Sequence, residues 1–160
     1  MQKARLGAHE LQDYMLAHGI PGEILQLGMP TPTVETAAQA VSARPEQIIK
    51  SILFMVDEQP VLVIACGTGT IGRRAIADLY GVGKKRVKLA TSETVLEFSG
   101  YEVGAMPPFG HRQPLTTLLD RRVLEAPDAY AGGGAENALV HLNPQDILRV
   151  TGAKVMDLLE

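Results

Sequence analysis

Apolar positions fall into helical spacing early in the chain. Leu11, Tyr14 and Met15 share one face between Ala8 and His18, and Gly19 stands where that helix would end. Residues 23–27 predict a short strand, after which Pro30-Thr31-Pro32-Thr33 breaks the pattern. Thr33 is placed to cap a helix whose Val34, Ala37, Ala38 and Val41 recur at i, i+3, i+4 and i+7, a stripe of small side chains suited to close packing. Two strands follow, 48–56 and 60–66, joined by Asp57-Glu58-Gln59 as a hairpin. A helix from Thr70 to about Tyr80 stops at Gly81, residues 87–90 make a short strand, and the helix 92–99 ends at Gly100. Residues 103–114 are rich in Gly and Pro and read as a loop. Residues 115–120, 129–131 and 138–142 are strands; Asn143 then caps a helix with Pro144 at its first position, and Gly152 closes it. Hairpins mixed with helices predict an α+β fold, one domain over residues 1–160 with a mixed central sheet flanked by helices.

Composition narrows this reading. The 160 residues are 46% hydrophobic and 21% charged, ordinary for a globular chain and unlike a disordered or collagen-like one. The longest apolar run, residues 61–66, is far short of the roughly 20 residues that span a bilayer. The N-terminal residues leave no room for a signal-peptide core, and the single Cys66 excludes an internal disulfide or a Cys-rich metal site, so a reducing cytoplasm is the expected address. Seven aromatics and no Trp argue against a base-stacking platform. Net charge is −3, yet Arg73, Arg74, Lys84, Lys85, Arg86 and Lys88 crowd one window against Asp78 alone, leaving the remainder strongly acidic. That window suits local contact with a polyanion; it also suits a solvated helix face followed by a lysine-blunted edge strand.

Four features could carry chemistry. Alternation sets Lys50 on the strand face of Ile52, Phe54 and Val56, opposite Ile49, Ser51, Leu53 and Met55. An unpaired ammonium there tends to lose its proton, so it must meet a carboxylate, backbone carbonyls, solvent in a cleft or a ligand; a lysine snorkelling from the strand end is the plainer account. Gly104-Ala105-Met106-Pro107-Pro108-Phe109-Gly110-His111 joins a conformationally free residue to two stiff ones. Such a loop can aim its N–H groups at a ligand oxygen, or simply connect two elements. Gly132-Gly133-Gly134 after a strand implies either close backbone approach or a wide turn. Gly67-Thr68-Gly69-Thr70-Ile71-Gly72 matches the dinucleotide pattern G-x-G-x-x-G, with Glu93 about where an acidic partner would fall. Against it, residues 61–66 read as the second arm of a hairpin and Glu93 lies at a helix start. His9, His18, His111 and His141 lack metal-ligand spacing, no G-x-S-x-G or phosphate loop occurs, and Cys66 reads as a core thiol.

The order and spacing of Gln47-Ile48-Ile49-Lys50-Ser51-Ile52-Leu53-Phe54, Gly100-Tyr101-Glu102-Val103-Gly104, Pro108-Phe109-Gly110-His111 and Tyr130-Ala131-Gly132-Gly133-Gly134 resemble the YbaK/ProX family. Its members are free-standing relatives of the editing domain inserted in bacterial prolyl-tRNA synthetases, and the likeness runs over about residues 33–152. The resemblance implies hydrolysis, in trans, of the ester joining a small wrong amino acid to the 3′ end of tRNA, with tRNA-Pro and prolyl-tRNA synthetase as the implied partners. A synthetase pocket discriminates such amino acids by only about 1–3 kcal/mol, which is why a second sieve exists. It implies catalytic roles for Lys50, Gly104 and Pro108, and substrate contacts from Ser51, Ala105, Met106, His111, Gly132 and Gly133. RNA phosphates would fall to Arg73, Arg74, Lys84, Lys85 and Lys88. No metal or cofactor is implied; water or a group of the substrate attacks the carbonyl. Two departures matter: Ala105 stands where many relatives have glycine, which would narrow the pocket, and Ser51 stands where alanine-clearing relatives have Asn, which leaves cysteine, serine or another small residue open. A non-catalytic tRNA- or synthetase-binding member and a nucleotide-binding enzyme are the rival readings.

Overall fold

The structure is a computed structural model that describes residues 4–160. Its helices are α1 Ala8–Ala17, α2 Val34–Val41, α3 Arg73–Tyr80, α4 Ser92–Ser99 and α5 Pro144–Thr151. Its strands are β1 Gly22–Gln26, β2 Ile49–Val56, β3 Gln59–Cys66, β4 Val87–Leu89, β5 Thr116–Asp120, β6 Ala129–Gly132, β7 Ala138–Leu142 and β8 Lys154–Met156. Short 3-10 turns occupy Pro45–Gln47, Lys84–Arg86 and Arg121–Glu125.

The β2–β3 hairpin organises the molecule. Asp57 and Glu58 take φ values of 47° and 70°. Both central residues of the turn are therefore left-handed, the conformation whose twist matches the flanking strands. Gln59 is consequently a strand residue paired with Val56, and the connection is one residue shorter than the sequence suggests. Around the hairpin runs a five-stranded sheet in the order β4-β2-β3-β5-β8, antiparallel through β3 and parallel beyond it. This is the mixed sheet expected. A second, antiparallel sheet of order β1-β7-β6 abuts it, the two meeting at a parallel bridge between Ile48 and Tyr130.

Alternation along the hairpin feeds two cores. Ile49, Leu53, Leu62 and Ile64 pack with Tyr101, Phe109, Leu119 and Val140. Phe54, Val56, Val61 and Val63 pack with Ile76 and Ala77 of α3 and with Leu158. Each fully buried side chain of this kind contributes roughly 1.5–3 kcal/mol. The small stripe of α2 behaves as its spacing predicts: Ala37 and Ala38 are buried against Ile48 and Leu139, bringing the helix close to the start of β2.

Thr33 and Asn143 cap their helices as expected and Thr91 caps α4 in the same way, each side chain accepting from a first-turn N–H. The exception is α3, which begins at Arg73 rather than Thr70. Gly72 N–H donates to the Leu158 carbonyl and the Thr70 carbonyl accepts from Glu160 N–H, so that segment is paired as a strand before the helix can start. Strand β8, the edge partner of β5, is three residues without an amphipathic pattern and leaves no mark in the sequence. Among the described residues no helix is long and apolar enough to cross a membrane.

Candidate active site

Lys50 lies near the start of β2, opposite Ala65 of β3, on the face that carries Ile52 and Phe54 farther along. Its Nζ donates to the Gly69 carbonyl oxygen at 2.6 Å. Burial is the main influence on its pKa and lowers it, while attraction from Cys66 and Glu35 works in the opposite direction. The ammonium thus meets a backbone carbonyl, one of the partners its position demanded, and keeps two further N–H donors.

The other edge of β2 is open at the same level. The two-residue hairpin makes Val56 and Gln59 a hydrogen-bonded pair, so the even-numbered residues of β2 bond to β3 and the odd ones face outward. Leu53 confirms the parity, its carbonyl accepting from Ala90 N–H at 3.0 Å on the far side. Strand β4 pairs with only Phe54–Val56, and β6 is bridged to the chain at Ile48, just before β2, so on that edge Ser51 faces a gap in the ladder.

That gap is a cleft of about 300 Å³, at the small end of ligand pockets. One wall is Thr31–Val34 and Ala37 at the start of α2; another is Ile48–Ile52; the third is Val103, Gly104 and Met106 with Gly132 and Leu139. The Ser51 hydroxyl is buried without a hydrogen-bond partner among the described residues, closed off from solvent beside this cleft.

The proline-bearing loop is held against the glycine run. Gly104 takes φ 87°, Ala105 N–H donates to the Glu102 carbonyl, and the Ala105 carbonyl accepts from Gly134 N–H. A Cβ on Gly132 would lie 2.3 Å from the Met106 carbonyl oxygen, so glycine is required there by the approach of the loop's own backbone. Gly133 is closed off by Ala138 and Gly134 by Gly7 and Ala8.

The structure therefore gathers Lys50, Ser51, Gly104, Met106 and Gly132 around one cleft. Ala105, Pro108, Gly133 and His111 do not line it. Ala105 and Pro108 are buried within the loop. His111 lines a different hollow with Tyr14, His18 and Phe109, where its Nε2 lies 2.7 Å from the Pro107 carbonyl oxygen and burial lowers its pKa. The cleft walls at Thr31, Pro32 and Val103 were not singled out in the sequence; only the helical stripe of α2 hinted at the first of them.

The basic window is less uniform than its composition. Arg73 is half-buried, its guanidinium over the Phe54 ring and one nitrogen 3.4 Å from the Val87 carbonyl. Arg86 pairs with Asp57 at 2.9 Å, an acid supplied by the hairpin turn. Arg74, Lys84, Lys85 and Lys88 are exposed. Lys88 pairs with Met55, five residues along β2 from Lys50, about 17 Å at the usual strand rise.

A larger hollow, about 450 Å³, lies apart from the Lys50 cleft. It lies against Gly67–Gly69 and carries Arg44 and Arg122 with Glu46 and Glu125, a balanced set that does not select an anion. The dinucleotide pattern fails as well. Gly69 gives its carbonyl to Lys50, Gly72 gives its N–H to Leu158, and the strand after α3 is β4, antiparallel to β2 rather than parallel to β3.

Comparison with known proteins bears on the fold and the family. A structure described as a candidate trans-editing enzyme for prolyl tRNA synthetase superposes with a TM-score of 0.88 at 34% identity, covering 96% of each chain. The proline–tRNA ligase of Geobacillus sp. (strain WCH70) is 30% identical over 71% of this chain, which spans only 20% of that ligase. YwhH of Bacillus subtilis (strain 168), whose description is uncharacterized, is 26% identical over 77% of both chains. The family model for the aminoacyl-tRNA editing domain matches residues 29–150, and the chain belongs to that family.

Proposed function

We propose that the Lys50 cleft is where this editing protein, acting in trans, hydrolyses the ester of a small mischarged amino acid on tRNA. The observation that carries it is a lysine ammonium without a carboxylate partner among the described residues, held on the wall of one cleft of about 300 Å³ that Ser51, Gly104, Met106 and Gly132 also line. Charge orients the substrate. The α-ammonium of an aminoacyl ester is repelled by Lys50, so the ester carbonyl lies toward Lys50 and the ammonium away from it, across the cleft. Water adds to the carbonyl carbon and negative charge develops on the carbonyl oxygen. The two free N–H groups of Lys50 stabilise it without reorganising, because Gly69 already holds the side chain. The carbon–oxygen bond to the ribose then breaks, and the departing oxygen takes a proton, releasing free amino acid and intact tRNA.

The relatives favour tRNA-Pro as substrate and prolyl-tRNA synthetase as partner, with the cytoplasm as the place of action. Arg74, Lys84, Lys85 and Lys88 would hold phosphates farther along the RNA, positioning it without reading sequence. Alanine, serine and cysteine esters on tRNA-Pro form the test panel. Loss of one acyl group, at least about tenfold slower in Lys50→Ala, is expected. Binding without loss of any of the three would favour the non-catalytic reading.

A further inference from the structure

The glycine-rich turn Gly67–Gly72 remains without a role once nucleotide binding is set aside. Its glycines are each consumed inside the molecule. Gly67 takes φ 74°, and its N–H donates to the Ile48 carbonyl, fixing the turn two residues before Lys50. A Cβ on Gly69 would lie 3.4 Å from both terminal methyls of Leu159, and one on Gly72 would lie 3.1 Å from Glu160 Cγ. Leu158–Glu160 thus lie along the turn as a strap: Gly72 N–H donates to the Leu158 carbonyl at 2.7 Å, and Glu160 N–H to the Thr70 carbonyl at 2.9 Å.

The strap has its own anchor. Asp120 is fully buried at the end of β5, and its Oδ2 accepts from the N–H groups of Leu158 and Leu159 at 2.7 and 3.2 Å. Its Oδ1 accepts from Arg122 N–H at 2.9 Å, and the Arg122 guanidinium lies 3.3 Å from Oδ2. A buried carboxylate with this many donors is a rigid fixture. It holds the strap, the strap holds the turn, and the turn presents the Gly69 carbonyl to Lys50.

We propose that Asp120 and Leu159 are positioning residues that act through the Gly67–Gly72 turn to aim the Lys50 ammonium into the cleft. The proposal rests on Lys50 serving the deacylation described above. A lysine has many rotamers, and only a fixed acceptor beneath it keeps two N–H groups directed at one point; the glycine pattern is the cost of seating that acceptor under a strap.

Because Asp120 is wholly buried, the leading variant is Leu159→Ala, which removes the side chain lying on Gly69 and keeps the strap's backbone bonds; Asp120→Asn is the second. Brief acetylation of the intact protein with acetic anhydride, read by peptide mass spectrometry, reports Lys50 independently of turnover. Labelling of Lys50 is expected to rise about threefold or more in Leu159→Ala, with Lys84 and Lys85 unchanged. An unchanged Lys50 rate overturns the proposal. A double-mutant cycle on single-turnover deacylation gives the second readout. Leu159→Ala should slow the reaction at least about fivefold in the wild-type background and less than about twofold in Lys50→Ala, whereas equal losses in both backgrounds mean a merely structural role and overturn the proposal. Wild-type turnover in Lys50→Ala defeats the Lys50 mechanism itself, and the labelling result separates that failure from failure of the strap.

Discussion

The two ends of β2 both carry positive charge and use it in opposite ways. At one end a single half-buried lysine is pinned to the Gly69 carbonyl beside a small apolar cleft. At the other, Lys88 stands on the neighbouring strand with Lys84 and Lys85 nearby in sequence, all exposed, and the adjacent Arg86 is already paired with Asp57. A partly desolvated charge acts strongly over a short distance and only in one geometry, while exposed charges are screened beyond about 8–10 Å and attract without selecting. The first is suited to a transition state and the second to a phosphate backbone. Composition counts all of these charges alike.

Mutations can break that contrast, and the largest effect is expected at the buried end. Lys50→Ala should lower single-turnover deacylation at least about tenfold, close to 1.4 kcal/mol of barrier, while thermal unfolding shows the fold intact. A wild-type rate would remove Lys50 from the chemistry. Reversal of the exposed end, Lys84→Glu with Lys85→Glu, should act on affinity instead. KM for aminoacyl-tRNA rises several-fold, the rate at saturation is unchanged, and the salt dependence of binding flattens by roughly 0.7–0.9 per lost phosphate contact. If saturating turnover falls as far as in Lys50→Ala, the division between the two ends is wrong.

Ser51→Ala is a smaller and more specific probe. The Ser51 hydroxyl has no partner in the free protein, so deleting it should leave stability unchanged or raise it by up to about 1 kcal/mol. KM should change by less than about twofold, because the hydroxyl is closed off from solvent. A KM raised severalfold would show instead that the hydroxyl reaches the substrate. The smallest expected effect is in pH dependence. Burial lowers the Lys50 pKa from the ordinary 10.5, so the charged form persists below that lowered value and is lost as pH rises through it. The ratio of wild-type to Lys50→Ala rates should therefore decline with alkalinity before free lysine would titrate; a ratio flat to that point would show that the charge is not what Lys50 supplies.

Local features were legible in the sequence and long-range ones were not. The caps at Thr33 and Asn143, the hairpin and the Ala37–Ala38 stripe follow from neighbours a few residues apart, and each lies within a residue of where its pattern puts it. Lys50 stood out because a cation in an apolar strand is anomalous on its own. What it bonds to did not, since the Gly69 carbonyl is brought to it by the hairpin and the turn that follows. The late start of α3 and the strand β8 were hidden for the same reason: both depend on pairing that crosses the chain, residues 70–72 with 158–160 and β8 with β5. The glycine pattern was read for a ligand because a strand, a turn and a helix in order look alike whether the turn receives a phosphate or a segment of the same protein. His111 was favoured for bordering the stiff loop, yet that loop has two sides, and the ring lies on the one away from the cleft.

The most direct test of the cleft uses an adenosine carrying alanine, serine or cysteine through a 3′ amide, which mimics the charged tRNA end and resists hydrolysis. Titrated into isotope-labelled protein and followed by NMR, it should shift the Lys50 side-chain resonances together with the backbone amides of Ser51, Gly104 and Gly132. Shifts confined to Arg44, Arg122 and Gly67–Gly69, the walls of the larger hollow, would contradict the assignment of the Lys50 cleft as the place where the ester is held.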